Sequence, residues 1–171
     1  AQSDYNIVDA TPFGRDVIAE LAQACRKEGL SLHLYYSHLD WGRTDFYPRG
    51  RTGNGTGRPD SGDWNSYLRF MDTQLTELLT KYGPVGAIWF DGVWDKDEQP
   101  YEDQPALWNL YPQYELIHTL QPGCLIGNNH HQKPYEGEDI QIFERDIPGQ
   151  NEYGLSGQDI SRLPLETCQT M

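Results

Sequence analysis

Residues 86–95 read GAIWFDGVWD, and the fold of the whole chain can be argued from this stretch. Four apolar residues in succession, at positions 87–90, end abruptly at Asp91, and Gly92 follows. An apolar run without alternation predicts a strand covered on both faces, as in a parallel sheet. Asp91 would then stand at the carboxyl end of the strand, where barrel and doubly wound enzymes carry their chemistry. An Asp that caps the following turn is the commoner role of Asp-Gly, but the flanking tryptophans favour a catalytic role here.

The composition narrows the kinds of partner that this chain can have. Its 171 residues carry 26 Asp and Glu against 13 Lys and Arg, a net charge of −13, which argues against nucleic acid and anionic membrane surfaces. Eleven Tyr and five Trp suit a neutral polyhydroxylated ligand, because aromatic rings pack on sugar C–H surfaces while carboxylates accept hydroxyl hydrogen bonds. No stretch approaches the roughly 20 apolar residues of a membrane span. Three widely spaced cysteines predict buried thiols rather than a disulfide framework or a zinc site, and leave the redox compartment open.

Helical and strand-like stretches alternate along the chain. Helices are predicted at 11–27, 63–82 and 106–120, and strands at 30–37, 86–91, 124–129, 140–143 and 163–168. Thr11 followed by Pro12 marks the start of the first helix, and Gly29 marks its end. Residues 42–62, rich in Gly, Arg and Pro, form either a functional or a mobile loop. The alternation predicts an α/β fold of the (β/α) TIM-barrel type, with parallel strands and crossover helices.

The number of predicted strands is smaller than a complete barrel requires. A full (β/α) barrel takes eight units and roughly 250 residues. The sequence therefore predicts a single domain over residues 1–171 that forms part of a barrel. Polar and aromatic side chains gather where the predicted strands end. Two carboxylates at such ends, one ionised and one protonated, are what glycoside hydrolysis with retention requires, at a separation of about 5–5.5 Å.

Four stretches carry a resemblance to a known family. They are ACRKEGLSLHLYYSHLDW at 24–41, LLTKYGPVGAIWFDGVWD at 78–95, LIGNNHH at 125–131 and GEDIQIFERDIPG at 137–149. Together they closely resemble the α-L-fucosidases of glycoside hydrolase family 29, over residues 5–171. LETC at 165–168 is similar to the family's Trp-Glu-x-Cys signature, with Leu165 where Trp is usual. The resemblance implies removal of terminal α-L-fucose with retention through a covalent fucosyl-enzyme, without a metal or other cofactor. The partner it implies is a fucosylated oligosaccharide or glycoconjugate.

The resemblance also implies the two catalytic residues. The family's nucleophile matches Asp91. Its acid/base commonly lies in a segment Gly-Asp-aromatic-x-x-Pro-Glu, which places that role on Glu144 when it is laid on GEDIQIFE. Glu136 and Glu138 are the alternatives for the acid/base. An ion pair with Arg145 or another surface Arg is the structural role that Glu144 would otherwise have.

Aromatic and histidine side chains surround the nucleophile in this family. The sugar contacts predicted here are Tyr36, His38, Trp41, Trp89, Asn129 and His130. Tyr35 and Tyr36 point to opposite faces of a strand, so only one of them can line the pocket. We choose Tyr36, with barrel packing as the other role for both. His130 stands where many relatives carry Arg. A metal site at His130-His131 is disfavoured, because adjacent strand residues diverge and no third ligand is nearby in sequence.

Parts of the family pattern have no counterpart in this chain. The first two strands, a segment with paired His and Asp-Gly-Phe, and the strands after residue 168 are expected to be missing. A partial barrel exposes strand edges and apolar helix faces, so we expect a homo-oligomer or a second chain that closes the barrel. Two other functions stay open: a non-catalytic fucose-binding or assembly module derived from such a barrel, and a metal-dependent hydrolase on the same fold.

Overall fold

A computed structural model describes residues 2–59, 61–96, 100–145, 147, 150 and 159–169. Its elements in chain order are α1 (Val17–Glu28), β1 (His33–Ser37), α2 (Trp64–Lys81), β2 (Ala87–Asp91), short 3₁₀ turns at Val93–Lys96 and Tyr101–Asp103, α3 (Gln104–Leu107), α4 (Leu110–Leu120), β3 (Leu125–Asn129), β4 (Gln141–Glu144) and β5 (Leu165–Cys168). The helices in this part of the chain are all too short or too polar to cross a membrane.

The strands lie side by side in the order in which they occur along the chain. β1, β2 and β3 form one parallel sheet, and β4 and β5 form a second parallel pair. A parallel bridge from Gly127 to Ile140 joins β3 to the residue before β4. Helix α2 connects β1 to β2, and α4 precedes β3, so the predicted α/β fold with parallel strands and crossover helices is confirmed. A doubly wound sheet reverses its strand order at a switch point, and the described strands contain no such reversal.

The two faces of the three-stranded sheet have different surroundings. Side chains alternate between the faces along each strand. One face packs against α2 and α4 in the main apolar core, and its central side chains include Tyr36, Ile88, Phe90 and Ile126. Burying a large apolar side chain contributes about 1.5–3 kcal/mol, so this face holds the sheet to its helices. The opposite face carries Tyr35 and Trp89, which are neighbours in the strand register.

Two helix starts differ from the prediction. α1 begins at Val17 with Asp16 as its N-cap, whose carboxylate accepts the N–H of Ala19. The predicted start at Thr11 is wrong, because the Thr11 hydroxyl closes a local turn by donating to the carbonyl oxygen of Ile7. The helix predicted at 106–120 is interrupted at Asn109, whose φ of 56° is left-handed, and only α4 is continuous. The end of α1 at Gly29, with a φ of 69°, is confirmed.

The long loop between β1 and α2 is tied to the residues that follow β2. The backbone N–H of Thr52 donates to Asp95 Oδ1 at 2.8 Å, and the backbone N–H of Arg51 donates to the Asp95 carbonyl oxygen at 3.0 Å. The Lys96 ammonium donates to the Pro48 carbonyl oxygen and lies 4.4 Å from the centre of the Trp64 ring. Asp95 and Lys96 are both buried, and their contacts place this loop beside the carboxyl end of β2.

Candidate active site

Asp91 is the last residue of β2, and uncharged donors surround its half-buried carboxylate. The Tyr35 phenol donates to Oδ2 at 2.7 Å, and the Trp94 indole N–H donates to Oδ1 at 2.8 Å. Gly92 then turns the chain with a φ of 105°, and a Cβ there would lie 2.7 Å from Leu39 Cγ. Donors that point at a carboxylate stabilise its negative charge, so the surroundings of Asp91 suit an ionised group.

Glu144 is the last residue of β4 and lies at the same edge of the strands. The side-chain amide of Asn129 donates to Glu144 Oε2 at 2.7 Å. His131 Nε2 lies 3.2 Å from the same oxygen, in position to donate to it. The Glu144 side chain is 34% exposed, so the carboxylate remains open to a substrate while two neighbours hold it in place.

Asn129 joins the two carboxylates. It ends β3, is 1% exposed, and directs its Nδ2 towards Asp91 Oδ1 at 3.4 Å as well as towards Glu144. An amide nitrogen carries two hydrogens, one for each acceptor. The two carboxyl oxygens can therefore lie no farther apart than the 3.4 Å and 2.7 Å spans laid end to end. The structure brings both predicted carboxylates to one place, while their catalytic roles stay predictions.

The alternatives to Glu144 lie elsewhere. The Glu138 side chain is 1% exposed, accepts the Tyr114 hydroxyl at 2.9 Å and lies 3.0 Å from His130 Nε2. It is enclosed by its partners, so a substrate has no access to it. Glu136 is exposed on the loop between β3 and β4. Neither has a hydrogen bond to Asp91 in the described part of the chain.

A third carboxylate, Glu166, lies on the sheet face that carries Asp91 and Glu144. It accepts the indole N–H of Trp89 at 2.7 Å. The Tyr35 ring stacks on the Trp89 ring with a centroid separation of 5.4 Å, and the Tyr35 hydroxyl reaches Asp91. These contacts connect β5 through Trp89 and Tyr35 to the end of β2.

Comparison with known proteins identifies the family. The family model described as alpha-L-fucosidase matches residues 1–171. The chain belongs to the α-L-fucosidase family. It is 35% identical over 111 residues to Alpha-L-fucosidase 1 of Arabidopsis thaliana. The matched region covers 65% of this chain and 18% of that protein. The resemblance drawn from the sequence motifs is thereby confirmed.

Solved structures of α-L-fucosidases have the same arrangement. Isoenzyme 1 from Paenibacillus thiaminolyticus superposes with a TM-score of 0.73 at 32% identity, over 99% of this chain and 40% of that one. The enzyme AlfC from Lactobacillus casei, in complex with α-L-fucose, superposes with a TM-score of 0.60 at 29% identity, over 97% and 49%. The chain thus spans less than half the length of each α-L-fucosidase named here.

Within this member of the family, Tyr36, the predicted sugar contact, lies on the sheet face opposite to Asp91. Tyr36 is 8% exposed, packs in the core between sheet and helices, and donates its hydroxyl to Gln74 Oε1 at 2.7 Å. Tyr35 is 62% exposed and is the one whose hydroxyl reaches Asp91. The strand register explains the outcome, because Ser37 pairs with Asp91 and alternate residues, including Tyr35, share their face.

His38 is also not placed to contact a sugar. Its fully buried ring lies 4.8 Å from the Phe90 ring and 5.3 Å from the Trp108 ring, centroid to centroid. The backbone N–H of His38 donates to the Asp91 carbonyl oxygen at 2.7 Å, and Nδ1 lies 3.3 Å from the same oxygen. Burial lowers the pKa of His38 to about 4, so the ring is neutral at neutral pH. His38 holds the backbone of Asp91 and does not face a ligand.

The two adjacent histidines, of which His130 is the predicted sugar contact, point in different directions. His130 turns inward, and its side chain is 3% exposed beside Glu138. Because His130 Nδ1 accepts the backbone N–H of Gln132, Nε2 carries the proton that faces Glu138. His131, with a left-handed φ of 63°, instead contacts Glu144. No group of three or more His, Cys, Asp or Glu side chains within the described ranges could hold a metal ion.

The remaining predicted contacts are Trp41, Trp89 and Asn129. Trp89 and Asn129 lie on the face that carries the carboxylates, as described above. Trp41 is 49% exposed on the loop after β1, where its indole N–H donates to Thr52 at 3.1 Å. Its role as a sugar contact stays a prediction.

Sequence reasoning weighed Tyr35 but chose Tyr36, and it did not select His131 or Glu166 as side chains of the site. Glu166 stands in the LETC stretch and could have been found from that motif. The position of His131 depends on its left-handed backbone, for which the sequence carries no signal.

Proposed function

We propose that the protein that carries this chain is an exo-acting α-L-fucosidase that cleaves terminal α-L-fucosyl linkages with retention of configuration. The observation that carries the proposal is the position of Asn129, whose single amide nitrogen holds Asp91 and Glu144 at the carboxyl edge of the strands. Membership of the α-L-fucosidase family supports the choice of sugar. The structures of AlfC with α-L-fucose and with a fucosylated N-acetylglucosamine belong to relatives that bind such ligands, and they support the substrate class.

The closeness of the two carboxylates favours retention over inversion. Inverting enzymes separate their carboxyl groups by about 6.5–9.5 Å to leave room for water, whereas retaining enzymes keep them about 5–5.5 Å apart. The two spans from Asn129, 3.4 Å and 2.7 Å, bring one oxygen of each carboxylate to the same amide nitrogen, which supports the closer spacing of a retaining pair. A nucleophile can therefore reach the anomeric carbon while the acid reaches the bond being broken.

The reaction has two steps. Asp91 forms a bond to the anomeric carbon as the bond to the leaving oxygen breaks, and Glu144 gives its proton to that oxygen. In the second step Glu144 takes a proton from water, which attacks the anomeric carbon and releases both fucose and the Asp91 carboxylate. Two inversions at one carbon give net retention. The donors around Asp91 are already in place to stabilise the carboxylate as the covalent bond breaks.

Of the three donors to Asp91, Tyr35 is the one whose group titrates in water. Partial burial of the phenol raises its pKa, and the neighbouring carboxylate of Asp91 raises it further. The hydroxyl therefore stays protonated across the pH range in which enzymes work, and it keeps donating to Asp91. The stacking of the Tyr35 ring on Trp89 fixes the direction of the hydrogen bond from its hydroxyl to Asp91.

Replacing Tyr35 with Phe is expected to lower kcat for an aryl α-L-fucoside about tenfold, because Asp91 loses one directed donor. The free energy of unfolding should change by less than about 0.5 kcal/mol, since the ring is mostly exposed. Tyr36→Phe is the matched control. It should lower the free energy of unfolding by about 1 kcal/mol through loss of the hydrogen bond to Gln74. Its effect on kcat should be smaller than that of Tyr35→Phe. Urea denaturation measures the free energy of unfolding of the two variants, and steady-state kinetics measure their kcat. A larger loss of kcat in Tyr36→Phe than in Tyr35→Phe would contradict the assignment of Tyr35.

The stereochemistry of the first product tests the mechanism. Proton NMR during hydrolysis of an aryl α-L-fucoside should show α-L-fucose before mutarotation produces the β anomer. An aryl β-L-fucoside serves as the control and should not be hydrolysed. If β-L-fucose appears first, retention is wrong. If fucose binds, as seen by tryptophan fluorescence, but no fucoside is hydrolysed, the protein is a binding module and the proposed activity is wrong.

We also infer that the five strands form one arc of a closed (β/α)₈ barrel. The sequential parallel order and the gathering of polar groups at the carboxyl edge support this inference. So does the similarity to α-L-fucosidase structures that are about twice as long as this chain or longer. The expectation of a homo-oligomer, or of a second chain that completes the barrel, stays a prediction.

A further inference from the structure

Glu166 is the third carboxylate on the sheet face of Asp91 and Glu144, and the two-step reaction gives it no role. Glu166 pairs with Ile142 in the strand register, two residues before the pairing of Glu144. Its side chain therefore lies on the face of Glu144, one step below the carboxyl edge. There its Oε1 accepts the indole N–H of Trp89 at 2.7 Å. This hydrogen bond is the feature from which a role for Glu166 can be argued.

The bond between Trp89 and Glu166 crosses the concave face of the strands. Trp89 belongs to β2 and Glu166 to β5, and β3 and β4 lie between them. Neighbouring strands are about 4.8 Å apart, so β2 and β5 are about 14 Å apart along the sheet. The register partner of Trp89 on β3 is Gly127, which has no side chain to block the indole. The indole is thus held by a strand that is not a neighbour of its own.

Trp89 passes this constraint to Tyr35. The two residues are register partners, and their rings stack with a centroid separation of 5.4 Å and an interplanar angle of 24°. Because Tyr35 is 62% exposed, few other groups can restrict its ring, and the stacked indole does so. The Tyr35 hydroxyl donates to Asp91 Oδ2 at 2.7 Å. The contacts therefore lead from Glu166 to the carboxylate that attacks the sugar in the proposed reaction.

We propose that Glu166 is a positioning residue for the nucleophile, which holds the Trp89 indole and thereby keeps the Tyr35 hydroxyl directed at Asp91. The inference rests on the proposed function. Groups that take part in a reaction must be held within about 0.5 Å of their productive positions by neighbours that need not touch the substrate. A carboxylate suits this task, because an ionised acceptor makes a shorter and stronger hydrogen bond than a neutral one.

Two substitutions of Glu166 test the role of the hydrogen bond in the protein that carries this chain. Glu166→Ala should lower kcat for an aryl α-L-fucoside about tenfold, as expected for Tyr35→Phe, while KM changes less than about twofold. Glu166→Gln should keep kcat within about threefold of the wild type, because its amide oxygen can still accept the indole N–H. Equal losses of kcat in the two variants would overturn the proposal.

A double variant tests whether Glu166 acts through Tyr35. Once the Tyr35 hydroxyl is gone, the direction of the ring no longer affects Asp91. Tyr35→Phe combined with Glu166→Ala should therefore have nearly the same kcat as Tyr35→Phe alone. Losses that multiply to about a hundredfold would mean that Glu166 acts independently of Tyr35, and the proposal would be wrong.

The indole signal of Trp89 in ¹H–¹⁵N NMR spectra supplies a readout that does not depend on activity. The signal is assigned by its disappearance in Trp89→Phe. It should move upfield in Glu166→Ala, where the indole N–H loses its acceptor, and stay close to its wild-type position in Glu166→Gln. An unchanged signal in Glu166→Ala would show that the carboxylate does not hold the indole.

Leu165→Ala is the matched control for a general disturbance of β5. Leu165 precedes Glu166 on the strand, is 44% exposed and points to the opposite face. Its substitution should change neither kcat nor the Trp89 signal. A loss of kcat as large as that of Glu166→Ala would assign the effect to the packing of β5 and overturn the proposal.

Failure of the positioning role differs from failure of the proposed function. If the wild type hydrolyses the fucoside and Glu166→Ala has the same kcat, Glu166 is not a positioning residue and the proposed activity stands. If the wild type does not hydrolyse the fucoside, the proposed function is wrong and the positioning role is wrong with it.

Discussion

Asp91→Gly is expected to reduce turnover of an aryl α-L-fucoside to background, because no other carboxylate can take its place in bonding to the anomeric carbon. The substitution leaves a space that Tyr35, Trp94 and Asn129 surround with donors. Sodium azide should enter that space and attack the same face of the sugar. The expected product is β-L-fucosyl azide, inverted relative to the substrate, and its formation is measured by NMR alongside the initial rate.

A control separates the loss of the nucleophile from a general effect of removing charge. Glu115 is an exposed carboxylate on α4, and Glu115→Ala should keep wild-type activity without a response to azide. Circular dichroism and thermal unfolding check that Asp91→Gly retains the fold. Equal activity of Asp91→Gly and the wild type would refute the assignment of Asp91, whatever the response to azide.

The fold could be predicted because its determinants are local in the sequence. The apolar run at positions 87–90 and the alternation of helices with strands define a parallel α/β arrangement without knowledge of distant contacts. The position of Asp91 at a strand end follows from the same run, and the structure ends β2 there. The carboxylates of Asp91 and Glu144 meet because parallel strands present their carboxyl ends at one edge.

The direction of individual side chains could not be predicted in the same way. Which of Tyr35 and Tyr36 faces Asp91 depends on the register between β1 and β2, and a shift of one residue would exchange them. The backbone at the end of β3 decides which histidine reaches Glu144, and His131 has a left-handed φ there. The burial of His38 depends on Phe90 and Trp108, which lie far from it in sequence.

The prediction that Glu144 is the acid/base rests on the segment of the family's sequence pattern that matches this chain least regularly. Its substitution has the second largest expected effect on activity. Glu144→Ala should lower kcat/KM for a disaccharide substrate by about 10²–10⁴-fold, because the leaving oxygen then departs without a proton. The loss should be smaller for α-L-fucosyl fluoride, whose leaving group needs little protonation. With the fluoride as substrate, azide should restore turnover by attacking the covalent fucosyl-enzyme, and the product should be α-L-fucosyl azide.

The alternatives Glu136 and Glu138 supply the controls. Glu136→Ala, at an exposed loop position, should keep wild-type activity and show no response to azide. Glu138→Gln should lower the free energy of unfolding by about 1–3 kcal/mol, because its partners His130 and Tyr114 are buried with it. Azide rescue of either variant in preference to Glu144→Ala would move the acid/base role away from Glu144.

The configuration of the two azide products decides between the roles. When the nucleophile is missing, azide attacks the substrate and inverts the anomeric carbon once, giving the β product. When the acid/base is missing, azide attacks an intermediate that Asp91 has already inverted, giving the α product. β-L-Fucosyl azide from Asp91→Gly together with α-L-fucosyl azide from Glu144→Ala would therefore identify both residues at once, since exchanged roles would give each variant the product of the other.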